Sequence, residues 1–385
     1  MKIEQVQEIV KSLHNQIVGE ALEEVDVTKI VDIGTKILDT TNVDNYVKAL
    51  VDTIGKIIFV NRPYQGNGTK VLMESWEFGS ILEKVDCEIP DTSINANDTW
   101  GLVDQQDYKQ DTFYKPSVSA KLFSKKVTFE IDVSFTERQV KGSFHSINEL
   151  NAFYSMIYNA VERAFTVKLD GLIMATINNF TATVFKNEIE DDGDVATSTT
   201  IRAVNLLKLY NDTTGETLTA VKCLSNPDFL KFASMTINNY VSRMSKMSTL
   251  FNSEKKQRFT PKDDLNVIML DMFKNACTCY LEADTFNKEL VALPNSETVP
   301  YWQGSGENYD FSSVSTINVN TSVGKVNRTG IIAIMFDKNA IGVCNTDKRV
   351  TTHYNAKGEF FNNFYKFDCG YFNDLGENFV LFFIG

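Results

Sequence analysis

Apolar residues near the start of the chain recur every three or four positions, the spacing that one face of an α-helix requires. Two such faces are present: Ile3, Val6, Ile9, Val10 and Leu13, then Val47, Leu50, Val51 and Ile54. The pattern predicts that residues 1–60 are mostly helical, with a second helix at 43–54 and a strand at 56–60. Short amphipathic helices need a further surface on which to bury their apolar faces.

Between residues 61 and 135 the pattern changes to alternation, which is typical of strands. Strands are predicted at residues 69–73, 118–122 and 127–133. A polar stretch at 91–99 is interpreted as a long exposed loop, flanked by Trp76, Phe78 and Trp100. The region is therefore predicted to be an extended excursion of the chain.

The longest predicted element is a helix at residues 146–178. Its apolar stripe consists of Leu150, Phe153, Ile157, Val161, Ala164, Val167, Leu172 and Ala175, without a proline. Ser146 and Glu149 have the spacing of a capping box at its start. At about 1.5 Å per residue the helix is roughly 50 Å long, far above the average. It is either a core helix of a large domain or a spine along the subunit.

The rest of the chain mixes the two periodicities. Helices are predicted at 201–210 and 226–244, and the second is opened by Asn226 and Pro227. Strands are predicted at 220–224, 265–270, 331–336, 348–354, 360–367 and 378–384. The pattern therefore predicts a domain of mixed helices and strands, followed by a C-terminal segment that is rich in strands.

A basic run lies between these elements. It consists of Arg243, Lys246, Lys255, Lys256, Arg258 and Lys262. Only Phe251 and Phe259 are aromatic within it, so stacking on nucleic-acid bases is weakly supported. We interpret the run as a solvated loop or a charge-paired contact between subunits, with nucleic-acid contact as the less favoured alternative.

Composition places the chain among globular proteins. It has 385 residues, of which 43% are hydrophobic and 23% charged, so it can bury a real core. The length predicts two or three domains, or one elaborated fold. Lys and Arg number 38 against 50 Asp and Glu, a net charge of −12. So acidic a surface disfavours chain-wide binding to nucleic acid or to anionic membranes.

No catalytic or metal-binding chemistry is predicted. The three histidines lie far apart, and the close pair Cys277 and Cys279 lacks a second pair to complete a zinc site. The acidic residues at 188–194 lack the spacing of a calcium loop and are interpreted as solvated. No phosphate-binding or nucleophile motif is found, so no cofactor is expected. Neither a signal peptide nor a membrane span is predicted, and synthesis in the cytoplasm is expected.

The order of elements resembles that of the major capsid proteins of tailed bacteriophages, which have the Hong Kong 97-type fold. Three segments, at residues 46–56, 79–85 and 151–160, are also similar to head proteins of small short-tailed phages of Gram-positive hosts. The resemblance implies an α+β fold with five parts. They are an N-terminal arm (1–60), an E-loop with flanking strands (61–135), a peripheral domain with the spine helix (136–199), an axial domain (200–345) and C-terminal strands returning to the peripheral domain (346–385).

The resemblance also implies a function and partners. Many copies would assemble as hexamers and pentamers into an icosahedral shell, in the virion, after assembly in the host cytoplasm. The implied partners are a portal, a separate scaffolding protein and packaged double-stranded DNA in weak, non-specific contact. The E-loop would reach onto a neighbouring subunit, and the N-terminal arm would clasp another. The candidate contacts between subunits are Trp76, Phe78, Trp100, Arg243, Lys246, Lys255, Lys256 and Arg258.

Three alternatives stay open at this point. An encapsulin-like nanocompartment would have the same fold but a bacterial cargo. A cytoplasmic α/β enzyme with an unrecognised site would have a deep polar pocket. A tail-tube subunit would lack a long uninterrupted helix, which counts against it.

Overall fold

The structure, a computed structural model, describes most of the chain. The described residues are 11–17, 43–60, 69–73, 82–87, 89, 105, 111, 113, 115, 117–143, 147–189, 198–284, 293–304 and 307–385. Predictions that fall on Trp76, Phe78, Trp100, Ser146 and most of the acidic stretch 188–194 lie outside these residues.

The described elements alternate between helices and strands. Residues 11–17 are helical, and the other helices are α1 (Val43–Val60), α2 (Glu137–Ser143), α3 (Ile147–Glu188), α4 (Leu206–Thr214), α5 (Ala220–Cys223), α6 (Pro227–Met244), α7 (Asp271–Asp284) and α8 (Phe311–Val314). The strands are β1 (Leu82–Cys87), β2 (Val118–Phe123), β3 (Lys126–Thr136), β4 (Ala203–Asn205), β5 (Leu265–Leu270), β6 (Glu297–Val299), β7 (Ile317–Thr321), β8 (Gly324–Arg328), β9 (Ile331–Asp337), β10 (Ile341–Asn355), β11 (Phe360–Asn373) and β12 (Phe379–Phe383). Short 3₁₀ turns lie at Thr69–Val71 and Lys262–Asp264.

The chain divides into two compact units, each built from three separate segments. The first unit contains Met1–Phe78, Lys125–Asn178 and Gly342–Tyr371, and the second contains Gly79–Ser124, Asn179–Ile341 and Phe372–Gly385. The five-part division implied by the resemblance stays a prediction.

The first unit is built on a three-stranded sheet in the order β10–β11–β3. Buried and half-buried positions alternate along strand β11, so one face of this strand packs into the core of the first unit. On that face Phe367 contacts Phe129 of β3 and Phe165 of α3, with ring centroids 5.3 and 4.4 Å apart. Helix α1 joins this core where the Tyr46 and Tyr154 hydroxyls lie 2.6 Å apart.

The second unit is built on a five-stranded sheet in the order β4–β12–β9–β5–β6. Every residue of β12 is buried, because helices cover both of its faces. Phe379 and Phe383 contact Phe180 and Phe185 of α3 on one side, with centroids 5.5 and 5.0 Å apart. Phe382 contacts α6 on the other side. The paired strands β1–β2 and β7–β8 belong to the same unit.

Several predicted elements are confirmed, and α6 shows why. Asn226 caps this helix, because its side-chain oxygen accepts hydrogen bonds from the Asp228 and Phe229 amides at 2.9 and 3.1 Å. Pro227 follows at the first helical position, where no amide is needed. The strands predicted at 118–122, 127–133, 265–270, 331–336, 348–354, 360–367 and 378–384 are also present.

Three predicted strands are wrong, and one predicted helix begins later than expected. Residues 56–60 continue helix α1, and the strand predicted at 220–224 is instead the short helix α5. At 69–73 a 3₁₀ turn at Thr69–Val71 is followed by one bridge from Leu72 to Val343. The helix predicted at 201–210 begins only at Leu206, after strand β4. Short apolar runs do not distinguish a strand from a buried helical turn, and packing decides between them.

The predicted long helix is present and longer than expected, with 42 residues from Ile147 to Glu188. At 1.5 Å per residue it is about 63 Å long. The predicted apolar stripe is wrong in part, because Val167 is 69% exposed and Ala175 is also exposed. The buried face instead continues from Val161 through residues four apart, which are Phe165, Leu169, Ile173 and Ile177.

Candidate functional site

The antiparallel strands β1 and β2, hereafter the ribbon, have an unusual polarity. Side chains alternate along both strands, and Lys84 lies opposite Lys121 on the half-buried face. Val85, Val118 and Leu122 point the other way and are 63%, 59% and 65% exposed. An ordinary amphipathic ribbon buries its apolar face and exposes its charges. Here the charged face packs on the second unit's own residues and the apolar face is left in solvent.

The charged face of the ribbon forms part of a closed ring of eight side chains in which bases and acids alternate. In order around the ring they are Lys84, Asp374, Lys121, Glu254, Lys256, Asp86, Arg258 and Glu377. Each member pairs with two groups of the opposite charge, so the ring is neutral.

Asp374 forms one side of the ring. Its two carboxylate oxygens accept from Lys84 Nζ at 2.7 Å and from Lys121 Nζ at 2.6 Å. Lys84 also pairs with Glu377, and Lys121 also pairs with Glu254. Asp374 is only 3% exposed, so its charge is compensated almost entirely by these two lysines.

Asp86 of the ribbon forms the opposite side. Its Oδ2 atom accepts from Lys256 Nζ at 2.9 Å and from Arg258 Nη2 at 2.6 Å. Lys256 also lies 3.0 Å from Glu254, and Arg258 donates to Glu377 at 2.8 Å, which closes the ring. Charged hydrogen bonds of this length are about twice as strong as neutral ones.

Backbone contacts hold the segment that carries Glu254, Lys256 and Arg258. Ser248 and Arg258 exchange backbone hydrogen bonds of 2.9 and 3.0 Å. Asn252 accepts from the Lys256 amide at 2.8 Å and donates to its carbonyl at 2.7 Å. The Ser253 amide donates to the Leu375 carbonyl at 3.0 Å, which joins this segment to the turn that carries Asp374. The ring is therefore held on two ordered loops of the second unit.

The turn between β11 and β12 leaves no room for a side chain at Gly376. A Cβ atom there would lie 2.2 Å from Lys121 Nζ and 2.7 Å from Glu254 Oε1. The Gly376 amide also donates to Asp374 Oδ1 at 2.9 Å. Glycine at this position lets the ring close against the backbone.

Replacing Gly376 by alanine is therefore expected to displace the ends of the Lys121 and Glu254 side chains and to destabilise the ribbon by about 1 kcal/mol, because these flexible side chains can shift. This destabilisation would be measured as faster hydrogen exchange of the β1 and β2 amides. Gly142→Ala is the matched control, because a Cβ at this helical position meets nothing within 4 Å. That variant is expected to be neutral or stabilising. Unchanged exchange in Gly376→Ala would contradict the tight packing.

The ring shifts the pKa values of its acids. Burial alone would raise the pKa of Asp374, Asp86 and Glu254. Hydrogen bonds and charges from the neighbouring Lys and Arg side chains outweigh burial, so all three pKa values lie below their ordinary range.

The ring shifts the pKa values of two of its bases in the opposite direction. Burial would lower the pKa of Lys121, but its hydrogen bonds to Asp374 and Glu254 raise it overall. Hydrogen bonds to Asp86 and Glu254 likewise raise the pKa of Lys256. Both shifts favour the charged ring at neutral pH.

Among the predicted contact residues that the structure describes, it brings two together. Lys256 and Arg258 are members of the ring, where they pair with acids of their own chain. Arg243 is exposed and lies 5.2 Å from the centre of the Tyr240 ring, while Lys246 and Lys255 are exposed. Sequence reasoning missed six members of the ring, which are Lys84, Asp86, Lys121, Glu254, Asp374 and Glu377. The spacing of Lys84 and Asp86, two positions apart and therefore on one face of a strand, is a signal that sequence reasoning could use.

The described residues offer little other chemistry. No group of three or more His, Cys, Asp or Glu side chains that could hold a metal ion occurs among them. None of the helices in the described part of the chain is long and apolar enough to cross a membrane.

Comparisons with known proteins agree with the architecture. No curated protein matches the chain. A capsid structure of Staphylococcus phage Andhra matches at 11% identity over 84% of this chain and 86% of that chain, with a TM-score of 0.51. A capsid structure of the cyanophage P-SCSP1u matches at 11% identity over 84% and 89%, with a TM-score of 0.47. The first likeness shows a shared fold. Residues 6–383 match the family model described as Phi29-like phage major capsid protein, and the chain therefore belongs to that family.

Proposed function

We propose that this major capsid protein builds a phage shell with the Hong Kong 97-type architecture, as hexamers and pentamers around packaged double-stranded DNA. Family membership carries the shell function. The ribbon carries the finer proposal, because Val85, Val118 and Leu122 on its apolar outer face are all more than half exposed and suit contact with another copy.

We assign the predicted parts to the observed elements in chain order. Helix α3 would be the spine helix, the ribbon would be the base of the E-loop, and the five-stranded sheet would belong to the axial domain. The long uninterrupted helix and the antiparallel ribbon support this assignment. The ring would then fix the E-loop base on its own subunit, so that the apolar face is presented in one direction before a neighbour arrives.

The remaining proposed partners are inferred from the assembly of a phage shell and from the net charge of the chain. A net charge of −12 favours weak, non-specific contact with packaged DNA, since a strongly basic wall would bind phosphate. A portal and a separate scaffolding protein would act during assembly in the host cytoplasm. The protein is proposed to have no catalytic role, and the family match favours a phage shell over an encapsulin or an enzyme.

A charge placed on the apolar face tests this proposal. Val118→Asp is expected to leave the fold intact, because the side chain is exposed, but to abolish high-mass assemblies in sedimentation. Val221→Asp is the matched control, since Val221 is 91% exposed on α5 and lies outside the ribbon. Shells of Val118→Asp that form as readily as those of the wild type would contradict the role of this face.

A further inference from the structure

The chain between the end of α6 and the start of β5 forms a loop with a basic surface. The Thr260 amide donates to the Met244 carbonyl at 2.9 Å, so the two ends of the loop meet. Four exposed bases of the loop and its flanks are hereafter the basic patch: Arg243, Lys246, Lys255 and Lys262. None of the four forms an ion pair with an acid of the described residues.

The basic patch has an excess of positive charge. Residues 243–263 contain two acids, of which Glu254 belongs to the ring and only Asp263 is left to offset the four bases. A local excess of this sign contrasts with the net charge of −12 on the whole chain. Opposite potentials attract, so the basic patch favours an acidic partner.

Two half-exposed apolar side chains lie among these bases. Ser248 and Arg258 exchange backbone hydrogen bonds, and Met247 and Phe259 flank this pair. Arg258 donates into the ring, and side chains alternate along extended backbone, so Met247 and Phe259 point away from the ring. They are 51% and 52% exposed. Exposed apolar side chains with a charged rim are typical of a surface that binds another protein.

A second surface, at residues 307–310, has the opposite character. Tyr309 is 82% exposed, and the exposed acids Glu307 and Asp310 lie on either side of it in sequence. Asp310 caps α8, because its carboxylate accepts from the Ser313 amide at 3.1 Å and from the Ser313 hydroxyl at 2.7 Å. These hydrogen bonds fix the chain next to Tyr309, so the aromatic ring is presented from an ordered base.

The two surfaces complement each other. A buried tyrosine ring contributes about 150–250 Å² of contact area. A methionine sulfur and a second aromatic ring, such as those of Met247 and Phe259, are favourable partners for it. The acids beside Tyr309 would then lie among the four bases, where opposite charges meet.

Two other occupants of the basic patch are less favoured. Pairing of the patch with itself would set its bases against each other. Double-stranded DNA would pair with the bases, but it would leave Met247 and Phe259 against a charged phosphate backbone. A heterologous contact between two different surfaces of the same chain avoids both problems, and such contacts close into rings.

We propose that the basic patch of one copy binds residues 307–310 of a second copy, with Tyr309 on Met247 and Phe259. This inference rests on the proposed shell function and names two surfaces of the second unit that meet between copies. The unpaired bases, the exposed apolar pair and the exposed tyrosine between two acids receive one common explanation.

Thiol cross-linking tests the contact directly. Cys87 and Cys279 are the exposed cysteines, so replacing both by serine gives a background that keeps only buried thiols. In that background Asn308→Cys together with Gln257→Cys is expected to give a ladder of multimers when assembled particles react with a short bis-maleimide. Both positions are exposed, and neither substitution removes a proposed contact residue.

Two controls show whether a cross-link joins copies through these surfaces. Co-assembly of the Asn308→Cys protein with the Gln257→Cys protein should give dimers and no larger multimers, since each copy then has one reactive thiol. Asn308→Cys combined with Asp212→Cys, at an exposed position on α4, should give no ladder.

The outcomes separate this inference from the proposed function. Assembled particles without a ladder, or with a cross-link inside one chain, would overturn the inference while the shell function stands. A background protein that forms no particles, even with a candidate scaffolding protein, would count against the proposed function instead.

Charge reversal gives an independent readout. Arg243→Glu with Lys246→Glu is expected to lower the yield of particles by at least about tenfold, because acids then face acids. Glu307→Lys in the same chain should raise the yield again. Lys222→Glu, at an exposed position on α5 outside the patch, is the control and should assemble as the wild type does.

The same variants distinguish a protein partner from DNA. A normal yield of shells that contain less DNA would assign the basic patch to DNA and overturn the inference. So would a triple variant that assembles no better than the double variant, with both proteins folded by circular dichroism.

Discussion

Asp374→Asn is expected to release the ribbon from the second unit. The substitution leaves Lys84 and Lys121 without the carboxylate that both contact, at 2.7 and 2.6 Å. Breaking a buried ion pair by removing one partner costs about 3–5 kcal/mol, and the partial exposure of the two lysines places this case near the lower end. Native-state hydrogen exchange of the β1 and β2 amides would measure the loss as a lower local opening free energy.

The same aspartate-to-asparagine change at Asp212 provides a control. Asp212 pairs with Lys208 one helical turn away and is 60% exposed, so its removal should cost no more than about 0.5 kcal/mol. Equal effects of the two substitutions would contradict the assignment of the ring as the anchor of the ribbon.

The ring also predicts a pH dependence with a definite sign. The pKa values of Asp86, Glu254 and Asp374 are lowered in the folded chain, from ordinary values of 3.8 for Asp and 4.5 for Glu. Their contribution is therefore fully present above the ordinary values and is lost as pH falls through the lower, folded values. The raised pKa values of Lys121 and Lys256 preserve the ring until pH exceeds about 10.5. The protection of the β1 and β2 amides from hydrogen exchange should stay constant from about pH 6 to 8 and should decrease below about pH 4.

Phe180→Ala is expected to destabilise the second unit strongly. Phe180 is fully buried and contacts Phe379 of β12 and Phe336 of β9, with ring centroids 5.5 and 6.3 Å apart. Removing a buried phenylalanine side chain typically costs about 3–5 kcal/mol, because the lost contacts leave a cavity. Chemical denaturation, monitored by circular dichroism, would measure the decrease in the free energy of unfolding.

The control for this truncation is Phe113→Ala. Phe113 is 85% exposed, so its replacement should change the unfolding free energy by about 0.5 kcal/mol at most. A small effect at Phe180 would mean that α3 does not stabilise the five-stranded sheet through this contact.

Much of the fold follows from local sequence patterns. The run Phe379–Phe383 is apolar at every position, so a strand buried on both faces is expected and found. Helix α6 carries its own start signal in Asn226 and Pro227, and its observed bounds match the prediction. Long elements with a strong periodicity are the most predictable, because many residues contribute to the same signal.

The ring could not be predicted, because its pairs join distant parts of the chain. Lys84 and Asp374 are 290 positions apart, and Arg258 and Asp86 are 172 apart. A charge run such as 243–262 shows which residues are basic but not which acids they meet. The exposed face of α3 was missed for a different reason. Val167 and Ala175 are apolar and were predicted to lie in the core, but both are exposed, because apolar character alone does not show which face of a long helix is covered.

Electron microscopy of the purified protein, expressed alone and with a candidate scaffolding protein and separated by size, is the most direct test of the central claim. Closed icosahedral shells or capsomer rings built from this chain are the predicted result. A monodisperse small oligomer that persists under these conditions would contradict the shell function.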